Sequence, residues 1–199
     1  MVKHMGHVDY KKTLQSMQSF TASRTAVSTD EIWIVQHPAV YTLGVAGRRE
    51  HLPRSRKDIP VVEVDRGGQI TYHGPGQVIA YVLLDMKRRD LAIRDLVNRL
   101  EQAVIDLLLE YGITSNRRNE APGVYIGEAK IAALGLRITR GCSYHGLALN
   151  VDMDLTPFHV IDPCGYPGLA VTQMRDLGVT DDCERVGDKL VAHLVRLLA

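Results

Sequence analysis

Leucine and valine return every fourth residue along Leu91–Tyr111, at Leu96, Leu100, Val104 and Leu108, with Val97 and Leu107 widening the stripe. That period predicts an amphipathic helix, which Asp90 would cap and Gly112 would end. Val186, Leu190, Leu194 and Leu198 predict another over Asp182–Ala199, and Tyr10, Leu14 and Met17 a weaker one over Asp9–Thr25. Between them lie short β-branched runs bounded by turn residues: Glu31–Gln36, Val61–Asp65 and Gln77–Leu84. Gly123 to Asp152 reads as a meander, with strands at Val124–Ile126, Lys130–Thr139 and Ser143–Val151. Helices set between blocks of mostly antiparallel strands imply an α+β fold with mixed sheets and flanking helices.

The 199 residues suit a single domain spanning 1–199, long enough to bury a core without a disulfide or metal staple. A net charge of +1 removes the footprint of a general nucleic-acid binder. The longest apolar run, Val78–Leu84, is far short of the roughly 20 residues that span a bilayer, and no apolar segment follows the N-terminus as a secretory signal would. Cys142, Cys164 and Cys183 form no C-x-x-C pair, so neither a disulfide framework nor a zinc site is expected. The expectation is a cytoplasmic protein without metal or cofactor, bound to neither nucleic acid nor membrane.

The densest chemical signal is Arg66-Gly67-Gly68-Gln69-Ile70-Thr71-Tyr72-His73, followed by Gly74-Pro75-Gly76-Gln77. Paired glycines let backbone N–H groups approach a ligand, and Gly-Pro-Gly sets a sharp turn. No Lys-Ser/Thr follows and the next element is a strand, so neither a P-loop nor a dinucleotide fingerprint fits. A plain glycine-rich turn carries equal weight until the surrounding Arg, Gln, Thr, Tyr and His are counted.

Cys164 sits in Asp162-Pro163-Cys164-Gly165-Tyr166-Pro167-Gly168, a rigid loop of the sort that displays nucleophiles, whereas Cys142 and Cys183 look structural. A free thiol titrates near ~8.5 and needs a nearby cation to become thiolate at neutral pH. Lys130 is the cation the pattern offers: alternation puts Lys130, Ala132, Leu134, Leu136 and Ile138 on one strand face. The ordinary alternative is a strand-end lysine that snorkels to water. His37, His73 and His145 are alternative bases, while His4, His7, His51, His159 and His193 have no supporting context.

Four segments, RGGQITYHGPGQ at 66–77, GVYIGEAKIAALGLR at 123–137, CSYHGLALNVDMDL at 142–155 and IDPCGYPGLAVTQM at 161–174, together with HPAVYTLG at 37–44, resemble the lipoyl(octanoyl) transferases of lipoate biosynthesis. The resemblance implies the catalytic fold shared with biotin and lipoate protein ligases. It implies that Cys164 accepts the acyl group and that Lys130 lowers its pKa. It also implies that Arg66 to His73, Ala133-Leu134-Gly135 and Gly146-Leu147-Ala148 line the acyl site. The implied donor is octanoyl-acyl carrier protein. The implied acceptors are lysines on lipoyl domains of 2-oxoacid dehydrogenase E2 subunits and of glycine cleavage H protein.

Thioester exchange followed by amide formation needs no ATP, and the chain shows nothing like the Gly-Arg-rich adenylate loop of biotin ligases. Full burial of an octanoyl tail contributes roughly 5 kcal/mol, and Ala132, Ala133 and Gly146 are small enough to leave it room. Residues 48–57 hold Arg48, Arg49, Arg54, Arg56 and Lys57 against Glu50, a local charge of +4 that suits an acidic carrier protein. The alternatives are an ATP-dependent lipoate- or biotin-type ligase, a thioesterase using the same thiol, and a non-catalytic acyl- or carrier-binding module.

Overall fold

The computed structural model describes residues 1–55, 58–118, 121–163, 166 and 168–199. The three helices fall where the periodicity places them: α1 at Tyr10–Ala22, α2 at Ile93–Glu110 and α3 at Cys183–Leu198. Asp9 caps α1 by accepting from Lys12 N, and Asp182 caps α3 by accepting from Arg185 N, both at 2.9 Å. The expected cap of α2 is corrected. Asp90 stands two residues upstream with φ +47, and the N-cap is Ala92, which has no side-chain oxygen to offer. The other end follows expectation: Gly112 N donates to Leu109 O and Ile113 N to Leu108 O, a Schellman closure.

Ten strands follow in chain order: β1 Val2–His7, β2 Glu31–Gln36, β3 Val40–Leu43, β4 Val61–Glu63, β5 Ile70–His73, β6 Gln77–Leu83, β7 Asn116–Arg117, β8 Gly123–Ile126, β9 Ala129–Thr139 and β10 Cys142–Asn150. Seven form one sheet in the order β1-β2-β6-β10-β9-β8-β7, and three form a second, β4-β3-β5. Among the described strands only β1–β2 and β3–β4 pair in parallel, so the mostly antiparallel mixed architecture is as expected. β1, β3, β5 and β7 are absent from the sequence reading, in which β5 was part of the glycine-rich segment.

The large sheet is buried on both faces, which is why β6 reads as a continuous apolar run. Val78, Ala80 and Val82 face α2 and α3, whose Leu96, Leu100, Val104, Leu190 and Leu194 complete an aliphatic core. Ile79, Tyr81 and Leu83 join Trp33 and Val35 of β2 in facing α1, where Met17 packs against them. The small sheet packs Tyr41, Ile70 and Tyr72 against Phe158 and Ile161.

Two glycines are dictated by close backbone approach. A Cβ at Gly146 would stand 2.0 Å from Ala80 O, so the pairing of β10 with β6 demands glycine there. Gly123 has φ +144, and a Cβ on it would lie 2.7 Å from Ala132 O and 3.0 Å from Lys130 Cε. Gly146 is thus demanded by strand pairing. Ala132 lies in the aliphatic core, not beside a ligand site.

Candidate active site

Among the described residues, a cavity opens between the small sheet and the α1-side face of the large one. The glycine-rich segment contributes Arg66, Gly68, Gln69, Ile70, Thr71 and His73 to its wall. β9 contributes Ala133, Leu134 and Gly135, and β10 contributes Gly146, Leu147 and Ala148. Gly67 lines an adjoining cavity, which shares Gly68, Gln69, Leu134 and Gly135 with the first. Tyr72 lines neither: it turns the other way, against Tyr41 and Phe158, because alternate residues of β5 face opposite sides. His145, Tyr10, Ile79 and Tyr81 complete the wall, and the last three are missing from the sequence reading. Ile79 and Tyr81 were within reach of the same alternation along β6, whereas nothing local marks Tyr10.

Lys130 is 4% exposed, so it does not snorkel to water. Its ammonium donates to Pro122 O at 3.1 Å and lies 5.2 Å from the centroid of the Tyr125 ring. Buried Glu101 holds this corner by accepting from Gly123 N at 2.9 Å. The expected single face of β9 is broken at its lysine end. β8 and β9 shift register there: Val124 opposes Ala132 and Tyr125 opposes Lys130, so Ile131 is the extra residue of a bulge. Ile131 and Ala132 then both enter the aliphatic core, while Lys130 borders the adjoining cavity beside Ala121, Pro122 and Tyr166. Lys130 also borders a smaller space with Thr71, Ala133 and Pro163.

Cys164, Gly165 and Pro167 lie outside the described residues, as do Arg56 and Lys57 of the basic stretch. The chain on both sides of Cys164 is anchored. Upstream, the Asp162 carboxylate takes His51 Nδ1 at 2.9 Å and Arg54 Nη2 at 2.7 Å, contacts that keep it ionised below the usual carboxylate range. His51, which the sequence left without a role, is therefore part of this anchor. Arg54 is paired with Asp162 while remaining exposed. Downstream, Lys130 N donates to Ala170 O and Thr172 N to Lys130 O.

The three histidines weighed as bases are buried and held neutral. Burial pushes His73 down to about 3, with the Arg66 charge adding to the effect and the hydrogen bond to Gln77 opposing it. Burial also lowers His37 and His145. The His37 Nδ1 proton goes to Val8 O, so its Nε2 accepts from the Tyr81 hydroxyl, both at 2.7 Å. His145 Nε2 donates to Asp65 Oδ1 at 3.0 Å, and this bond is the main reason that Asp65 stays ionised at unusually low pH. Burial raises the Tyr10 hydroxyl to about 12 and that of Tyr81 well above its ordinary value, so both remain donors. Among the described residues, no group of three or more His, Cys, Asp or Glu is placed to hold a metal ion. No helix among them is long and apolar enough to cross a membrane.

The fold has clear counterparts. The chain superposes with a TM-score of 0.81 on a bi-partite lipoate protein ligase from Thermoplasma acidophilum, covering 99% of this chain and 82% of that one at 17% identity. The corresponding match to the biotin protein ligase of Aquifex aeolicus in complex with biotin and ATP has a TM-score of 0.63, 99% and 69% coverage and 16% identity. These two define the class: the α+β catalytic fold of lipoate and biotin protein ligases. Residues 9–195 match the family model of the lipoyl protein ligase A/B catalytic domain. An octanoyltransferase of Dechloromonas aromatica is 61% identical over 198 residues, covering 100% of this chain and 96% of the relative. The chain belongs to this family and, within it, to the octanoyltransferases, which are acyltransferases of lipoate biosynthesis.

Proposed function

We propose that the protein transfers an octanoyl group from octanoyl-acyl carrier protein to a specific lysine of a lipoyl domain, through a thioester on Cys164. The observation that carries this reading is the location of Lys130. It is a buried cation beside the wall segment Ala133–Gly135, and it borders spaces lined by Pro163 and Tyr166, on either side of Cys164.

In the first half-reaction the Cys164 thiolate attacks the donor's thioester carbonyl. The C–S bond to the carrier breaks, and the carrier leaves as a thiol after taking a proton. In the second, the acceptor amine attacks the Cys164 thioester, an amide forms, and the thiolate is released. Lys130 stabilises the thiolate by charge and can exchange a proton with the thiol or the incoming amine. The first exchange is nearly isoenergetic and the second runs downhill, so ATP is not consumed. The cavity walled by Arg66, Thr71, His73, Ala133 and Ala148 would take the eight-carbon chain. The remaining members of the three wall segments, Gly67 to Ile70, Leu134, Gly135, Gly146 and Leu147, would shape its entrance and floor. E2 lipoyl domains and H protein serve as acceptors in this reading. The cytoplasm is its compartment, because the nucleophile must remain a thiol.

The test is intact-protein mass spectrometry after mixing with octanoyl-carrier protein, followed by apo lipoyl domain, without ATP. The expected result is an octanoyl adduct on Cys164 that moves to the lipoyl domain and is lost in Cys164→Ala. In Lys130→Ala, the pH midpoint for iodoacetamide alkylation of Cys164 should rise toward the ordinary thiol value of ~8.5. A strict requirement for ATP would point to the ligase chemistry of the shared fold, and free octanoate as the product would point to a thioesterase.

A further inference from the structure

β9 and β10 pair as far as Ala132 and Leu149 and part beyond them. Residues 170–174 enter the gap. On the β9 side, Lys130 N donates to Ala170 O at 2.8 Å and Thr172 N to Lys130 O at 3.0 Å, closing a parallel bridge between Lys130 and Val171. On the β10 side, Met174 N donates to Asn150 O at 3.1 Å, and the Asn150 side-chain Nδ2 donates to Thr172 O at 3.0 Å. Asn150 is the one side chain in this set of bonds that grips the inserted segment.

Asn150 is in turn held from behind. Gln77 Nε2 donates to Asn150 Oδ1 at 2.9 Å and to Tyr72 O at 3.3 Å. The Gln77 Oε1 accepts from His73 Nδ1 at 2.8 Å, and His73 Nε2 faces Thr42 Oγ1 at 3.4 Å. Arg66 Nη2 donates to the same Thr42 oxygen at 2.8 Å. Each link has one possible direction. Tyr72 O and Thr172 O can only accept, which fixes both amides, and Arg66 can only donate. Thr42, Gln77 and Asn150 are all at most 5% exposed, so an inverted amide would leave buried groups unpaired. The chain thus runs from the wall of the acyl cavity to the backbone of Lys130.

We propose that Asn150, oriented by Gln77, is a positioning residue for acyl transfer, fixing the segment that follows Cys164 in register with Lys130. This rests on the reading of Cys164 as nucleophile. Seven residues, 163–169, connect the Asp162 anchor to Ala170, so the register of 170–174 limits where the loop between them can go.

Asn150→Asp keeps the shape but turns an acceptor toward Thr172 O; Gln77→Met removes the donor behind Asn150 without adding charge. The rate of Cys164 octanoylation by octanoyl-carrier protein, the alkylation pH profile and octanoic acid binding by calorimetry are read for both. The expected result is a roughly 10- to 100-fold slower acylation and a higher alkylation midpoint, with octanoic acid affinity within about threefold of the unsubstituted protein. Folded variants with unchanged rate and pH profile would overturn the inference. So would a loss of octanoic acid affinity equal to the loss of rate, which marks a merely structural role. If Asn150→Asp fails to fold, Gln77→Met decides the matter alone. No adduct on Cys164 in the unsubstituted protein would overturn the underlying reading and this one with it.

Discussion

Val82 and Tyr81 are neighbours in β6 but serve two differently built halves of the molecule. On the α2–α3 side the sheet meets leucine and valine, and one buried carboxylate, Glu101, lies at its edge. On the α1 side the same strands meet Tyr10, His37, His73 and His145, with a cavity among them. The first face is held by area, the second by hydrogen bonds whose directions are fixed. Area is indifferent to pH, while the polar face keeps an open cavity and pays in acid sensitivity.

The largest effect expected from breaking the aliphatic face is Leu100→Ala. Leu100 has no exposed surface, and truncating such a leucine costs about 2–5 kcal/mol through lost transfer energy and a residual cavity. Urea unfolding should show that loss, with octanoyl transfer per folded molecule within about twofold of the unsubstituted protein. A selective loss of transfer at unchanged stability would mean that the two faces are coupled through the sheet.

The polar face should answer to pH instead. His73 is held down to about 3 when folded but titrates near ~6.5 when unfolded, so between those values the unfolded chain binds the extra proton. Stability is therefore flat above about pH 6.5 and falls as the pH drops below it, until the folded pKa is reached. At pH 5 this one group accounts for roughly 2 kcal/mol. His73→Gln, whatever its stability at pH 7.5, should lose less between pH 7.5 and pH 5 by about that amount in urea unfolding. Equal losses in both proteins would remove His73 as the source of the acid sensitivity.

The same contrast decides what could be read from sequence. Helices and doubly buried strands announce themselves by period and by unbroken apolar runs, and α2, β2 and β6 sit within two residues of expectation. β1 is hidden by His4, Gly6 and His7: as an edge strand parallel to β2 it buries no complete face and so has no alternation. β5 is hidden by its own chemistry. Its Thr71 and His73 face the cavity and Tyr72 the opposite cluster, so a contiguous motif of eight residues is spatially two sets. The bulge at Ile131 and the one-residue bridge of Lys130 to Val171 are set by tertiary pairing and have no local signature. His51 and Arg54 reach Asp162 across more than a hundred residues, a contact that no spacing rule detects. The segments forming the cavity walls were legible through family resemblance, whereas the chain from Arg66 through Gln77 to Asn150 emerges only when the side chains are placed.

The smallest effect tests the N-terminus of α2, where pattern and structure disagree. Asp90 was the expected cap of α2, yet with φ +47 it belongs to the preceding turn, and Ala92 holds the capping position at φ −73 and ψ 153. That extended geometry is what a capping side chain needs, and Ala92 is exposed, so nothing has to move to admit a carboxylate. Asp at this position would accept from the free N–H groups of the first turn and oppose the positive end of the helix dipole. Ala92→Asp should therefore raise unfolding stability by about 1 kcal/mol, measured in urea at pH 7, with the increment shrinking as the new carboxylate is protonated near pH 4. Because the core-facing leucines of α2 pack on the aliphatic face, the gain should leave the acid sensitivity of the opposite face unchanged. A gain that altered the slope between pH 7.5 and pH 5 would show that the two halves do not respond independently.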